Sequence, residues 1–175
     1  RVDISDDGWA VSWSGAIYRW DGTSWTRVEA PAADYLGAVT VVADGQAWAV
    51  GRWGTILRWD GALWGAVESP TTSELSAVAM VSPVDGWAVG YSGAILHWDG
   101  RSWEQAASPT GIDLASVAAG SGTAACAVGR SGTILHRGTI GVTSTPTRTS
   151  TATRTPRPPG TSTSTHTPGP SPTAS

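Results

Sequence analysis

GWAVGYSGAILHWDGRSWEQAASPTGIDLASVAAGS, residues 86–121, holds four short apolar runs divided by turn-forming residues. The runs cover 87–89, 94–98, 102–106 and 114–118, and the punctuation is 90–93, the Asp99-Gly100 pair and 108–111. Gly, Asp-Gly and Ser-Pro clusters at this spacing mark tight turns and are poor helix interiors. Strands of about 4–6 residues joined by such turns predict a four-stranded antiparallel meander.

The same block recurs without insertion. Trp9, Trp48, Trp87 and Cys126 step by 39 residues, as do Gly15, Gly54, Gly93 and Gly132, and Ile17, Ile56, Ile95 and Ile134. Trp20, Trp59 and Trp98 keep the step, with Trp25, Trp64 and Trp103, Pro31, Pro70 and Pro109, and Leu36, Leu75 and Leu114. Four strands in a repeat of about 40 residues are the signature of a propeller blade. The fold expected is therefore all-β, a β-propeller-like array of four-stranded antiparallel blades. It occupies residues 1–138 as a partial unit, three full units and a partial fourth unit ending after its second strand. In that last unit the Trp positions hold Cys126, Arg137 and Val142. The chain opens mid-pattern at Arg1, which reads as a processed or truncated start. A piece of a larger ring, a minimal four-bladed ring and a subunit completed by a neighbour all fit the repeat count.

From Thr139 the texture changes, and 26 of the last 37 residues are Ser, Thr or Pro. Such a segment cannot build a core, so 139–175 is read as an extended tail or linker suited to O-glycosylation. Its acceptors would be Thr143, Thr145, Thr147, Thr149, Thr151, Thr153 and Thr155, then Thr161, Thr163, Thr165 and Thr167, all on alternate positions. In extended chain that spacing puts them on one face, roughly 6.5–7 Å apart. The tail directs the expected location to the cell surface or outside the cell.

Charge and cysteine content exclude several functions. The net charge is −3, and all 14 acidic residues lie before the tail, opposite the basic face that nucleic acid requires. Cys126 stands alone, so there is neither an internal disulfide framework nor a thiolate metal cage. No apolar run approaches the roughly 20 residues of a membrane helix. No cofactor or metal site is expected.

Within the repeats, fixed positions are read as scaffold. The Gly-Trp-Ala-Val run is expected to be the inner strand of each blade, with Ala10, Ala49, Ala88 and Ala127 keeping it slim. The tryptophans are expected to pack between blades. Asp21, Asp60 and Asp99 should cap their Asp-Gly turns, and should pair with Arg19, Arg58 and His97 two residues earlier. Cys126 is expected as an inert core thiol. The variable positions are the binding candidates: Trp13, Arg52, Trp53, Tyr91 and Arg130, in the first turn after each Gly-Trp-Ala-Val run. Loops on one propeller face commonly contact partners, and exposed Trp and Arg favour interfaces.

The string W-A-V-G-x-x-G-x-I-x-x-W-D-G-x-x-W, carried at residues 48–64 and 87–103, resembles the repeat of photosystem II assembly factor-like propellers and the degenerate Asp-box of bacterial neuraminidases. The likeness covers residues 1–138 and implies a propeller. Arg19, Arg58 and His97 stand where an Asp-box has Ser or Thr, and no residue separates Asp from Gly. The function expected is a non-catalytic binding or scaffold module at the cell surface, its partner another surface protein or a glycan. Alternatives are a self-assembling filament subunit, with partial blades completed in trans by strand-edge pairing to itself, and a lectin or sialidase-like hydrolase. A hydrolase would need converging acids, an arginine cluster and a nucleophile, usually Tyr. A role in photosystem assembly rests on the family likeness alone.

Overall fold

A computed structural model describes residues 8–31, 34–42, 45–120 and 124–137. The threonines of the tail lie outside the described residues. Among the described residues, fourteen strands form four antiparallel sheets in chain order. The first holds β1 (Gly8–Val11), β2 (Ile17–Trp20) and β3 (Trp25–Val28). The second holds β4 (Leu36–Val41), β5 (Ala47–Gly51), β6 (Ile56–Trp59) and β7 (Trp64–Val67). The third repeats it with β8 (Leu75–Ser82), β9 (Asp85–Gly90), β10 (Ile95–Trp98) and β11 (Trp103–Gln105). The fourth holds β12 (Leu114–Ala119), β13 (Ala125–Gly129) and β14 (Ile134–Arg137). Each sheet is a blade with its strands in sequential order.

The blades are phased differently from the sequence units. Each complete blade begins on the Leu strand and takes the Gly-Trp-Ala-Val strand second, with Leu75 opposite Gly90 and Val78 opposite Ala88. The innermost strands are thus β4, β8 and β12, which approach one another across neighbouring blades. This corrects the expectation that the Gly-Trp-Ala-Val run lies innermost. Small residues do serve the crowded centre, but they are Gly37, Ala38, Ala77 and Ala79. A Cβ on Gly37 would come within 3.3 Å of the Leu75 carbonyl oxygen in the next blade. The fourth blade consequently has three described strands rather than two.

The blades are held together by indoles. Trp9 of β1 lies 4.9 Å from Trp59 and 5.0 Å from Trp64, both in the second blade. Trp48 of β5 repeats the arrangement at 4.8 Å from Trp98 and 5.5 Å from Trp103 in the third. One ring of each pair is tilted and the other edge-on, the orientations the aromatic quadrupole favours. Leu36, Val50, Leu75, Val89, Leu96 and Leu114 fill the rest of the core. Burying a large apolar side chain of this kind contributes about 2–3 kcal/mol.

The turns are set by local chemistry. Asp99 Oδ1 accepts hydrogen bonds from the backbone N–H groups of Arg101 and Ser102, both at 2.8 Å. Asp60 holds Ala62 and Leu63 in the same way, and Asp21 holds Thr23 and Ser24. These donors pull all three carboxyls below the ordinary aspartate range. His97 and Arg58 take partners other than the Asp-Gly aspartates that the sequence suggested. His97 Nε2 sits 2.9 Å from Asp85, and Arg58 Nη2 donates to Gln46 Oε1 at 2.8 Å while lying over Trp48. The aspartates prefer the nearer amide donors of their own turn. Gly93 adopts φ 71° beneath the Thr110 carbonyl, where a Cβ would fall 1.9 Å from that oxygen, so no other residue fits.

Two outcomes follow for stability. Trp48→Ala removes the indole wedged between two blades and is expected to cost about 3–5 kcal/mol, read by denaturant unfolding. A carboxyl whose pKa falls on folding stabilises the native state above its unfolded pKa of about 3.9 and loses that contribution as pH drops through the lower folded value. The stability gap between the parent and Asp99→Ala should therefore be widest near neutrality and should close on acidification below about pH 4.

Candidate functional site

At one end of every second strand the chain turns sharply before the third, and this turn positions the variable residues. In the second to fourth blades it is a single 3-10 turn: 52–54, 91–93 and 130–132. Its first N–H is held by the residue that precedes the inner strand of the same blade. Arg52 N donates to Tyr35 O at 3.1 Å, Tyr91 N to Glu74 O at 2.9 Å and Arg130 N to Asp113 O at 2.9 Å. Gly90 makes that approach possible, since a Cβ there would sit 2.0 Å from the Glu74 oxygen. A register shift at the start of each inner strand, between Leu36 and Ala38, Leu75 and Ala77, and Leu114 and Ser116, breaks the ladder beside these residues.

The result is an arc of side chains that crosses the blades along one rim. Trp13 of the first blade stacks on Tyr35 of the second, with ring centroids 6.1 Å apart and planes 26° apart. Arg52 lies over the same Tyr35 ring at 5.3 Å, and its Nε reaches Glu74 Oε2 of the third blade at 3.4 Å. Ser92 N of the third blade donates to Asp113 Oδ1 of the fourth at 3.0 Å, and Arg130 Nε stands 3.6 Å from Asp113 Oδ2. Ion pairs this exposed contribute at most about 1 kcal/mol, so their role is to orient the arc rather than to stabilise the fold.

All five sequence candidates lie on this rim. Trp13 and Arg52 both meet the Tyr35 ring. Trp13 is 78% and Trp53 70% exposed. Tyr91 is exposed at the matching place in the third blade, and Arg130 is engaged by Asp113 in the fourth. The sequence reading missed Tyr35, Glu74 and Asp113. These three are themselves 39 residues apart, just ahead of the repeated Leu, and vary as the first turn does. Variation at fixed repeat spacing was the signal that could have found them.

Trp53 is the unusual member. It occupies the left-handed region at φ 59°, where the equivalent residues of the next two blades are Ser92 at 56° and Ser131 at 55°. A bulky side chain there costs about 1–2 kcal/mol, and this one buries little in return. The shared φ makes this conformation a property of the turn, which Trp53 adopts with its ring exposed. Among the described residues, no group of three or more His, Cys, Asp or Glu side chains could hold a metal ion.

No protein-family model and no curated protein matches the chain. Solved structures do. The chain is similar to YCF48 bound to a D1 peptide, at 18% identity and a TM-score of 0.57, with 77% of this chain and 47% of that one covered. It is similar to the RRP9 WD40 repeats at 15% identity and a TM-score of 0.65, covering 77% and 45%. The computationally designed Ika4 protein aligns at 15% identity and a TM-score of 0.61 over 77% of this chain and 86% of that one. These likenesses show the fold: the chain is a β-propeller repeat protein, as its sequence period indicates. It spans a little under half the length of the YCF48 and RRP9 chains.

Trp53→Gly removes the left-handed strain, because glycine adopts that conformation without a Cβ clash. Stability is expected to rise by about 1 kcal/mol in chemical unfolding, in contrast to substitutions at the interlocked indoles.

Proposed function

We propose that the chain is a non-catalytic binding module that recognises an extended peptide of a partner protein along the Trp13–Tyr35–Arg52–Trp53 rim. The observation that carries this reading is Trp53, a strained indole kept exposed beside an aromatic and cationic stack. Flat rings offer large contact area at low entropic cost, and Arg52 supplies donors for a carbonyl or carboxylate. The neighbouring YCF48 structure, described as bound to a D1 peptide, is a precedent for peptide binding on this fold. The composition of the Thr/Pro-rich tail supports a location at the cell surface or outside the cell, with the alternate threonines as candidate glycan acceptors. A glycan stacked on Trp13 and Trp53 is the same chemistry turned to another ligand.

A second reading rests on the end blades. Trp25 is 45% exposed where Trp64 and Trp103 are 4%, and Val128 is 41% exposed where Val50 is 0%. Faces that are core elsewhere in the array therefore lie open at both ends, and apolar faces of this kind favour association of copies into filaments.

Peptide and glycan arrays probed with the native protein and with Trp13→Ala/Trp53→Ala separate these ideas. Peptide hits lost in the double variant support the module. Glycan hits lost in it identify a lectin. With no hits on either array, filaments seen by electron microscopy would transfer the assignment to self-assembly, and dispersed particles would leave the rim reading without support.

A further inference from the structure

The junction between the third and fourth blades differs from the two before it. Trp9 and Trp48 each rest against two indoles of the following blade, but Trp87 meets Arg137, whose guanidinium carbon lies 4.6 Å from its ring centroid. Arg137 stands where the second and third blades carry Trp59 and Trp98. Among the described residues the fourth blade has no counterpart of β7 or β11, the strands that bring Trp64 and Trp103 to their junctions. Between the two blades lies a cavity of about 360 Å³, with Trp87, Val89, Ile95, Val117, Ala127 and Leu135 among its walls. His136 and Arg137 are the ionisable side chains in its lining.

We propose that this cavity is the docking site for an aromatic side chain carried on an extended segment of another polypeptide. The segment pairs along β14 and seats its ring against Trp87. The other two junctions show what this surface accepts, because there an outer strand delivers an indole to the equivalent Trp. The outer edge of β14 pairs with no described strand, and its backbone groups form a template for strand addition. The volume falls within the range of ligand-sized clefts, and the walls are apolar. Arg137 adds a cation beside the site, which favours an electron-rich ring over an aliphatic chain. The site is remote in composition from the rim and does not depend on it.

The probe is a peptide copying residues 101–106, the outer strand of the third blade, with fluorotryptophan in place of its Trp. Fluorine NMR of this peptide with the full chain should show saturable binding, about tenfold or more tighter than free fluoroindole because the strand adds hydrogen bonds to ring burial. Arg137→Asp puts a carboxylate where the cation faces the ring and should weaken binding about tenfold or more. Ala125→Leu narrows the cavity and should weaken binding about tenfold, which keeps the test decisive if the first variant does not fold. Absence of binding, peptide affinity no better than that of fluoroindole, or binding untouched by both variants would overturn the proposal. Binding that appears only in Val142→Asp would also overturn it, by showing that the chain's own continuation fills the cavity.

Discussion

The contact on which this molecule depends is one indole wedged between two others. A four-stranded blade has a buried face and cannot stand alone. In the first two blades the Trp of the second strand closes that face by reaching into the Trp pair of the following blade. Because the main contacts among the described strands run between neighbouring blades, cohesion is close to a sum of junctions. Two described junctions are aromatic on both sides. The third is not, and an arginine takes the place of an indole there.

That division of labour leaves the rim free. The interlocking rings lie along the outer three strands, whereas the turns after the second strands sit at the strand ends beside the start of each inner strand. Those turns are anchored by backbone hydrogen bonds and by glycines that no larger residue could replace. Their side chains carry little of the fold's stability and can differ from blade to blade. Trp13, Arg52, Tyr91 and Arg130 are four solutions at one position, and Tyr35, Glu74 and Asp113 are three at the position facing it.

Much of this was legible in the sequence. The 39-residue step gave the fold class, because Trp, Gly and Ile at fixed spacing leave few ways to fold. The step also separated scaffold from rim. It could not give the phase, since a repeat has no intrinsic beginning. The Leu strand pairs with the Gly-Trp-Ala-Val strand that follows it, and only the ladders reveal that choice. Partners of charged residues were misjudged for a related reason. Asp99 looked like the natural partner of His97, but a carboxylate two residues along the chain is satisfied first by its own turn's amides. The cross-strand neighbour Asp85 is the group within reach. Tyr35, Glu74 and Asp113 escaped notice because they precede a strand instead of lying within a turn motif.

The crowding of indoles has an optical side. Rings held 4.8–5.0 Å apart at fixed tilt have coupled transition dipoles, so their ultraviolet circular dichroism belongs to pairs and not to single chromophores. Each of these close pairs straddles a boundary between blades, its two members in different sheets. Part of the ellipticity of this protein thus registers whether neighbouring sheets are seated on one another, beside the part from pairs within one sheet such as Trp20 and Trp25 at 5.5 Å. Nature has built a reporter of docking into the same atoms that do the docking.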